Sequence, residues 1–251
     1  MMLGDNTPDR SLSKALGEYR SRLVTKWISQ FGLSVCGGPF EGMRLLPESA
    51  WGDGDLLSKL VGAYEAELHG VVHGLAVQGY KRIVNIGCAE GYYAVGLALT
   101  LPRSRVIAFD TCEAAQNLCR NAAALNEVGG RVEVYGNCIT EALASILAGP
   151  EKTFVLSDCE GAETYLLDPR KTPALLDCDL LIECHDFACP KTTDLLRRWF
   201  DRTHSSRIIF ETGRDLALFP LTAFWSSLDR AVAFCEFRPC RMHWLLLVRN
   251  P

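Results

Sequence analysis

The chain has 251 residues, 48% of them apolar and 22% charged, enough to fill a large core and to argue against disorder. Its 26 Lys plus Arg and 30 Asp plus Glu leave a net charge of −4, so no chain-wide basic field exists for nucleic acid or an anionic membrane. No apolar run approaches the ~20 residues of a membrane helix.

The opening, MMLGDNTPDRSLSKALGEYR, lacks the apolar stretch of a secretory leader, so a cytoplasmic protein is expected. A helix is predicted over 12–31, a small hairpin over 37–48 and a second helix over 56–75. On that second helix Glu65, His69 and His73 share one face, a spacing that can hold a metal. A packed helix with partly buried histidines is the commoner meaning of such a pattern. Tyr64 and Glu65 could line a pocket.

From residue 81 onward short apolar runs alternate with helical patterns. Strands are predicted over 81–88 (KRIVNIGC), 105–110 (RVIAFD), 131–135 (RVEVY), 153–157 (TFVLS), 179–184 (DLLIEC), 207–210 (RIIF) and 243–248 (HWLLLV). Helices are predicted over 92–101, 113–126, 140–147 and 191–201. Such alternation implies βαβ crossovers, and strands apolar almost throughout imply helices on both faces of a parallel sheet. The expected architecture is a doubly wound, mostly parallel seven-stranded α/β sheet over 79–251, with a helical cap over 1–78.

The first strand ends in Asn85-Ile86-Gly87-Cys88-Ala89-Glu90-Gly91 and runs into a helix. Glycines at such a turn let backbone N–H groups approach a ligand, and ligands of open α/β sheets bind at this edge. The second strand ends in Asp110, placed to accept from both ribose hydroxyls of a nucleoside. A dinucleotide site wants a glycine where Ala89 stands, and Glu90 would repel a pyrophosphate. S-adenosylmethionine has no phosphate and carries a sulfonium cation, so an acidic loop suits it better. An ordinary strand-to-helix turn without a ligand is the plain alternative.

At these residues the chain resembles the class I S-adenosylmethionine-dependent methyltransferases. NIGCAEGYY is similar to their first motif, with Asn85 in place of the acid and Ala89 in place of the middle glycine. The resemblance implies a donor site built from Asn85, Gly87, Cys88, Ala89, Glu90, Gly91 and Asp110, with Asn137 and Cys138 where the family contacts adenine. Asp158-Cys159-Glu160-Gly161-Ala162-Glu163 further resembles the D-x-E-G-A-E string of the FkbM-like group. That implies O-methylation of a small hydroxylated or carboxylated acceptor.

The fourth and fifth strands should deliver Asp158, Glu160, Glu183, His185 and Asp186 to one crevice. His185 could be a general base supported by Asp158, with Glu160, Glu183 and Asp186 facing the acceptor. Asp158, Glu183 and His185 or Asp186 could instead bind a divalent cation. Or the acids could merely hold loops while His185 caps a helix. The first reading is adopted, with no metal expected.

Arg197, Arg198, Arg202, Arg238 and Arg241 read as solvated faces without interleaved aromatics, so nucleic acid is not an expected partner. The eleven cysteines show no C-x-x-C pair and read as buried reduced thiols, Cys88 and Cys159 included. The function expected is a methyltransferase acting on a small molecule. A nicotinamide-dependent oxidoreductase and a degenerate methyltransferase fold that only binds are the rivals. The oligomeric state stays open, a homodimer included.

Overall fold

Arg82–Ile86, Thr153–Ser157 and Asp179–Glu183 are buried at every position, as strands covered on both faces must be. In the computed structural model, which describes residues 10–49, 55–238 and 240–251, they form β1, β4 and β5 of a seven-stranded sheet. The other strands are β2 (Arg105–Phe109), β3 (Val132–Tyr135), β6 (His204–Phe210) and β7 (His243–Arg249). Their order is β3-β2-β1-β4-β5-β7-β6. β1 to β5 pair in parallel, and β7 runs antiparallel to both β5 and β6. The chain winds outward in both directions from β1 and β4, so a crevice opens beyond Ile86 and Ser157, which pair at the carboxyl edge.

The helices are α1 (Arg10–Phe31), α2 (Leu56–Val61), α3 (His69–Leu75), α4 (Tyr92–Thr100), α5 (Glu113–Leu125), α6 (Thr140–Leu147), α7 (Glu163–Leu166), α8 (Thr192–Phe200) and α9 (Ser227–Ala233). Alternate strand residues feed opposite cores. Ile83, Ala108, Leu156 and Trp244 pack with α3, α4 and α5. Val84, Ile107, Val155 and Leu245 pack with α6 and α8. A third core joins Leu23 and Trp27 of α1 to Leu57 and Leu60 of α2 and to Trp225 and Val232 near the C-terminus. None of the described helices is long and apolar enough to cross a membrane.

Two N-terminal expectations fail. The helix over 56–75 breaks at Gly62, which turns left-handed at φ 83 where a Cβ would sit 2.3 Å from the Gly37 carbonyl oxygen. Glu65 is left-handed too, and a 3₁₀ turn, Ala66–Leu68, leads into α3. His69 and His73 keep their i, i+4 spacing on α3, but Glu65 falls outside the helix and leaves their face. Glu65 is buried ahead of α3, His69 Nε2 faces the Tyr64 carbonyl at 3.2 Å, and His73 is exposed. The hairpin over 37–48 reduces to one bridge, Ser34 with Arg44, around a 3₁₀ turn that inserts Phe40 against Tyr92. Of the twenty residues on which the leader reading rests, the first nine lie outside the described ones.

Candidate active site

Beyond β1 the chain turns through Gly87 (φ 79), Ala89 (φ 46) and Gly91 (φ 95) into α4. A Cβ on Gly87 would lie 1.6 Å from the Asp158 carbonyl oxygen, so only glycine lets the β1 and β4 ends close together. Asp110, at the end of β2, fastens the turn. One carboxylate oxygen accepts the Ala89 N–H at 2.9 Å and the other the Cys112 N–H at 2.8 Å. Each oxygen has a second lone pair for a ligand.

A cleft of about 390 Å³ lies over this edge. Gly87, Ala89, Glu90, Asp110, Asn137 and Cys138 line one half, and Asp158, Glu160 and Glu183 the other. Tyr64 and Lys59 close it from the N-terminal side. Lys59 is buried and its Nζ sits 2.5 Å from Glu90, which explains an acid on the glycine turn. Seven acidic side chains line the cleft against two basic ones, Lys59 and Arg238. Such a wall repels a pyrophosphate and attracts a cation.

The acids of the DCEGAE string converge on one imidazole. His185 is 2% exposed, with Nδ1 2.6 Å from Glu163 Oε1. Its Nε2 lies 3.3 Å from Glu160, 3.5 Å from Glu183 and 3.6 Å from Asp158. Glu163 is fully buried and also accepts the Gly161 N–H, so it orients the ring with Nε2 toward the cleft carboxylates. Burial works against the charged imidazole, but the Glu163 hydrogen bond and the surrounding carboxylates outweigh it and raise the His185 pKa. Burial, then the neighbouring Glu183, raises Asp158 well above the usual carboxylate range.

The sequence reading missed Arg238. It is no solvated residue: its guanidinium is almost buried, ion-paired with Glu65 and Glu183 and 3.0 Å from Glu236. Arg214 joins the same network through Glu67 at 2.7 Å and through Glu236. Tyr93 donates to Glu65, which burial raises to about 8 against the pull of Arg238. The partners of Arg238 come from positions 65, 183 and 236, and no local spacing announces such a meeting. The hint available was a surplus of carboxylates at the cleft with no cation to balance them.

No family model matches the sequence, and no curated protein matches it. Solved structures do. The METTL16 MTase domain superposes with a TM-score of 0.52 at 14% identity, covering 95% of this chain and 82% of that one. The fold is a methyltransferase fold. Two O-methyltransferases, TomG from Streptomyces achromogenes in complex with SAM and one from Bacillus cereus in complex with SAH, each cover 98% of this chain. They align at 15% and 14% identity over 92% and 93% of their own lengths, both with TM-scores of 0.47.

Within this methyltransferase fold, some of the expected residues lie off the cleft. Asn85 is buried inside β1, and neither atom of its amide has a protein partner. Cys88 is buried beneath the turn, and Gly91 packs against Cys119. Asp186 faces away: it accepts the Thr193 backbone N–H and hydroxyl at the start of α8 and lies 3.4 Å from His243. Asp186, and not His185, holds the first turn of α8. Arg197, Arg198 and Arg202 are exposed. All eleven cysteines are free. A thiol contact with Cys119 and burial raise the Cys88 pKa, and burial raises that of Cys159, so neither is poised as a thiolate. Asp158, Glu183 and His185 bring ligand atoms within 4.8 Å of one another and could hold a divalent cation, but Arg238 already neutralises Glu183.

The cluster sets a pH dependence. His185, Asp158 and Glu65 all have raised pKa values, so between about pH 5 and 8 the folded state binds more protons than the unfolded one. Stability then falls as pH rises through that window. Thermal unfolding should give a lower Tm at pH 8.5 than at pH 6; a flat or rising Tm would contradict the raised values.

Proposed function

We propose that the chain is an S-adenosylmethionine-dependent methyltransferase that methylates an oxygen of a small hydroxylated or carboxylated acceptor. The observation that carries the proposal is the acid-walled cleft at the switch point of a methyltransferase fold, with Gly87 and Asp110 shaping one half and a buried imidazole backing the other. The donor set fits a cationic, phosphate-free cofactor. Asp110 and Asn137 would hold its ribose and adenine, and the Gly87–Glu90 backbone its remaining part. S-adenosylmethionine supplies a methyl carbon bonded to a positively charged sulfur.

This chain's own residues align the acceptor oxygen and move its proton. Alignment alone can lower a barrier by ~7–11 kcal/mol. Asp158 faces the cleft with Oδ1 otherwise unpartnered, and His185 stands behind it. The pair takes the acceptor proton, and Glu163 fixes the ring. Because the His185 pKa is raised, less free base is present at neutral pH, so the rate climbs toward alkaline pH. The convergence of Asp158, Glu160 and Glu163 on His185 supports the finer assignment to the FkbM-like group.

Asp110→Ala should weaken S-adenosylhomocysteine binding ten- to a hundred-fold. A hydrogen bond to a charged group is worth ~1.5–3 kcal/mol, and the turn loses its fastening as well. Unchanged affinity would remove Asp110 from the site. A chelator should leave binding and turnover intact, and recovery only on adding Mg²⁺ or Mn²⁺ would install the cation at Asp158, Glu183 and His185. Calorimetric titration tests the proposal as a whole. S-adenosylhomocysteine should bind and NAD should not; the reverse would make the chain an oxidoreductase. Binding without methyl transfer to any acceptor would leave a protein that only binds.

A further inference from the structure

The acid-walled cleft meets a second one across residues 236–238. That second cleft, of about 470 Å³, lies beyond the end of β6 and is lined by Glu211, Arg214, Arg230, Phe237 and Arg241 among others. We propose that it seats an anionic group, a carboxylate or a phosphate, carried by the methyl acceptor in addition to the oxygen that is methylated. This rests on the methyltransferase reading and names its substrate class.

Charge balance points to it. Arg214 and Arg238 are neutralised by Glu67, Glu236, Glu65 and Glu183. Arg230 and Arg241 have no ion pair among the described residues. Arg230 Nε is buried without a hydrogen-bond partner, a costly state that an incoming anion would relieve. The Arg241 guanidinium lies 4.3 Å over the Phe210 ring, a stacked pose that leaves its N–H edge for a ligand. Glu211 opposes them, although it turns one oxygen to the Met242 N–H at 3.4 Å. Two guanidiniums with free N–H groups match the paired oxygens of a carboxylate or phosphate.

Topology puts this cation pair on the acceptor side. β5 and β6 are both antiparallel to β7, so the end of β6 shares the sheet edge with the end of β5. Along that edge the proposed donor half lies over β1, β2 and β3, the Asp158–His185 pair over β4 and β5, and the arginines beyond β6. Phe237, left-handed at φ 52, stands where the two clefts meet. An acceptor anchored by its anion would reach past Phe237 toward Asp158.

The test follows the arginine Nε–Hε resonances of the full chain during titration with acetate and with inorganic phosphate, beside a titration with S-adenosylhomocysteine. A saturable shift of the Arg230 signal is expected with one anion, and which one responds separates a carboxylate acceptor from a phosphorylated one. Arg230→Gln should weaken that anion's binding at least about tenfold and leave S-adenosylhomocysteine affinity within about twofold. Arg241→Gln alters an exposed residue, keeps the fold, and should weaken the anion similarly. Silence with both anions, or unchanged anion affinity in Arg241→Gln, overturns the inference while S-adenosylhomocysteine binding leaves the methyltransferase reading standing. If the anion binds and S-adenosylhomocysteine does not, the assignment to an acceptor falls with that reading.

Discussion

Gly87→Ala is expected to abolish S-adenosylhomocysteine binding and to lower Tm by roughly 10 °C. A left-handed L residue costs ~1–2 kcal/mol, and the new methyl would need the place of the Asp158 carbonyl, 1.6 Å away. Neither atom is the end of a flexible side chain, so the β1 and β4 ends must part. The Asp158 N–H donated to the Ile86 carbonyl at 2.9 Å would go with them. Together these amount to ~4 kcal/mol, at ~2–4 °C per kcal/mol for a chain of this size. Gly136→Ala is the control. Its nearest neighbour would be Gln116 Nε2 at 3.9 Å, and its Tm should barely move. Thermal unfolding of both variants, with and without S-adenosylhomocysteine, reads the result; a Gly87→Ala protein that still binds would refute the close approach.

His185→Ala should lower turnover ~10²–10⁴-fold and leave S-adenosylhomocysteine affinity nearly unchanged, because the donor half of the cleft is built from other residues. The variant also leaves Glu163, fully buried, with only the Gly161 N–H as a partner, so some loss of stability accompanies it. Glu163→Gln separates the two effects. It keeps the ring and removes the hydrogen-bonded carboxylate that helps raise the His185 pKa. The His185 titration, followed by its ring proton resonances, should move to lower pH, and the rising limb of the rate profile should move with it. A rate profile that ignores Glu163→Gln would leave His185 a packing residue.

The sheet was legible because strands buried on both faces are written as unbroken apolar runs, and 140–147 and 153–157 end where α6 and β4 end. Edge strand β6 buries only His204 and leaves Ser205, Ser206 and Arg207 exposed, so its first three residues, His204 to Ser206, carry no apolar run. Gly62 was illegible as a break because the apolar period runs straight through it; the backbone that leaves no room for a side chain there is Gly37, far away in the chain. The acids of DCEGAE could be read because they are neighbours on one turn. Their meeting with His185 could be inferred from parallel strand ends, whereas the arginines that balance the cleft come from the irregular stretch before β7. Asp186 looked like His185 in sequence, and one step along the chain turns it to the other side, onto α8.

The central claim places an S-adenosyl group over the glycine turn with its reacting end at Asp158 and His185. A crystal structure of the protein with S-adenosylhomocysteine tests it most directly. The account predicts the ribose hydroxyls within hydrogen-bond distance of Asp110, the adenine beside Asn137 and Cys138, and the sulfur turned toward Asp158. A ligand lodged away from Gly87 and Asp110, or with its sulfur turned from Asp158, would contradict it.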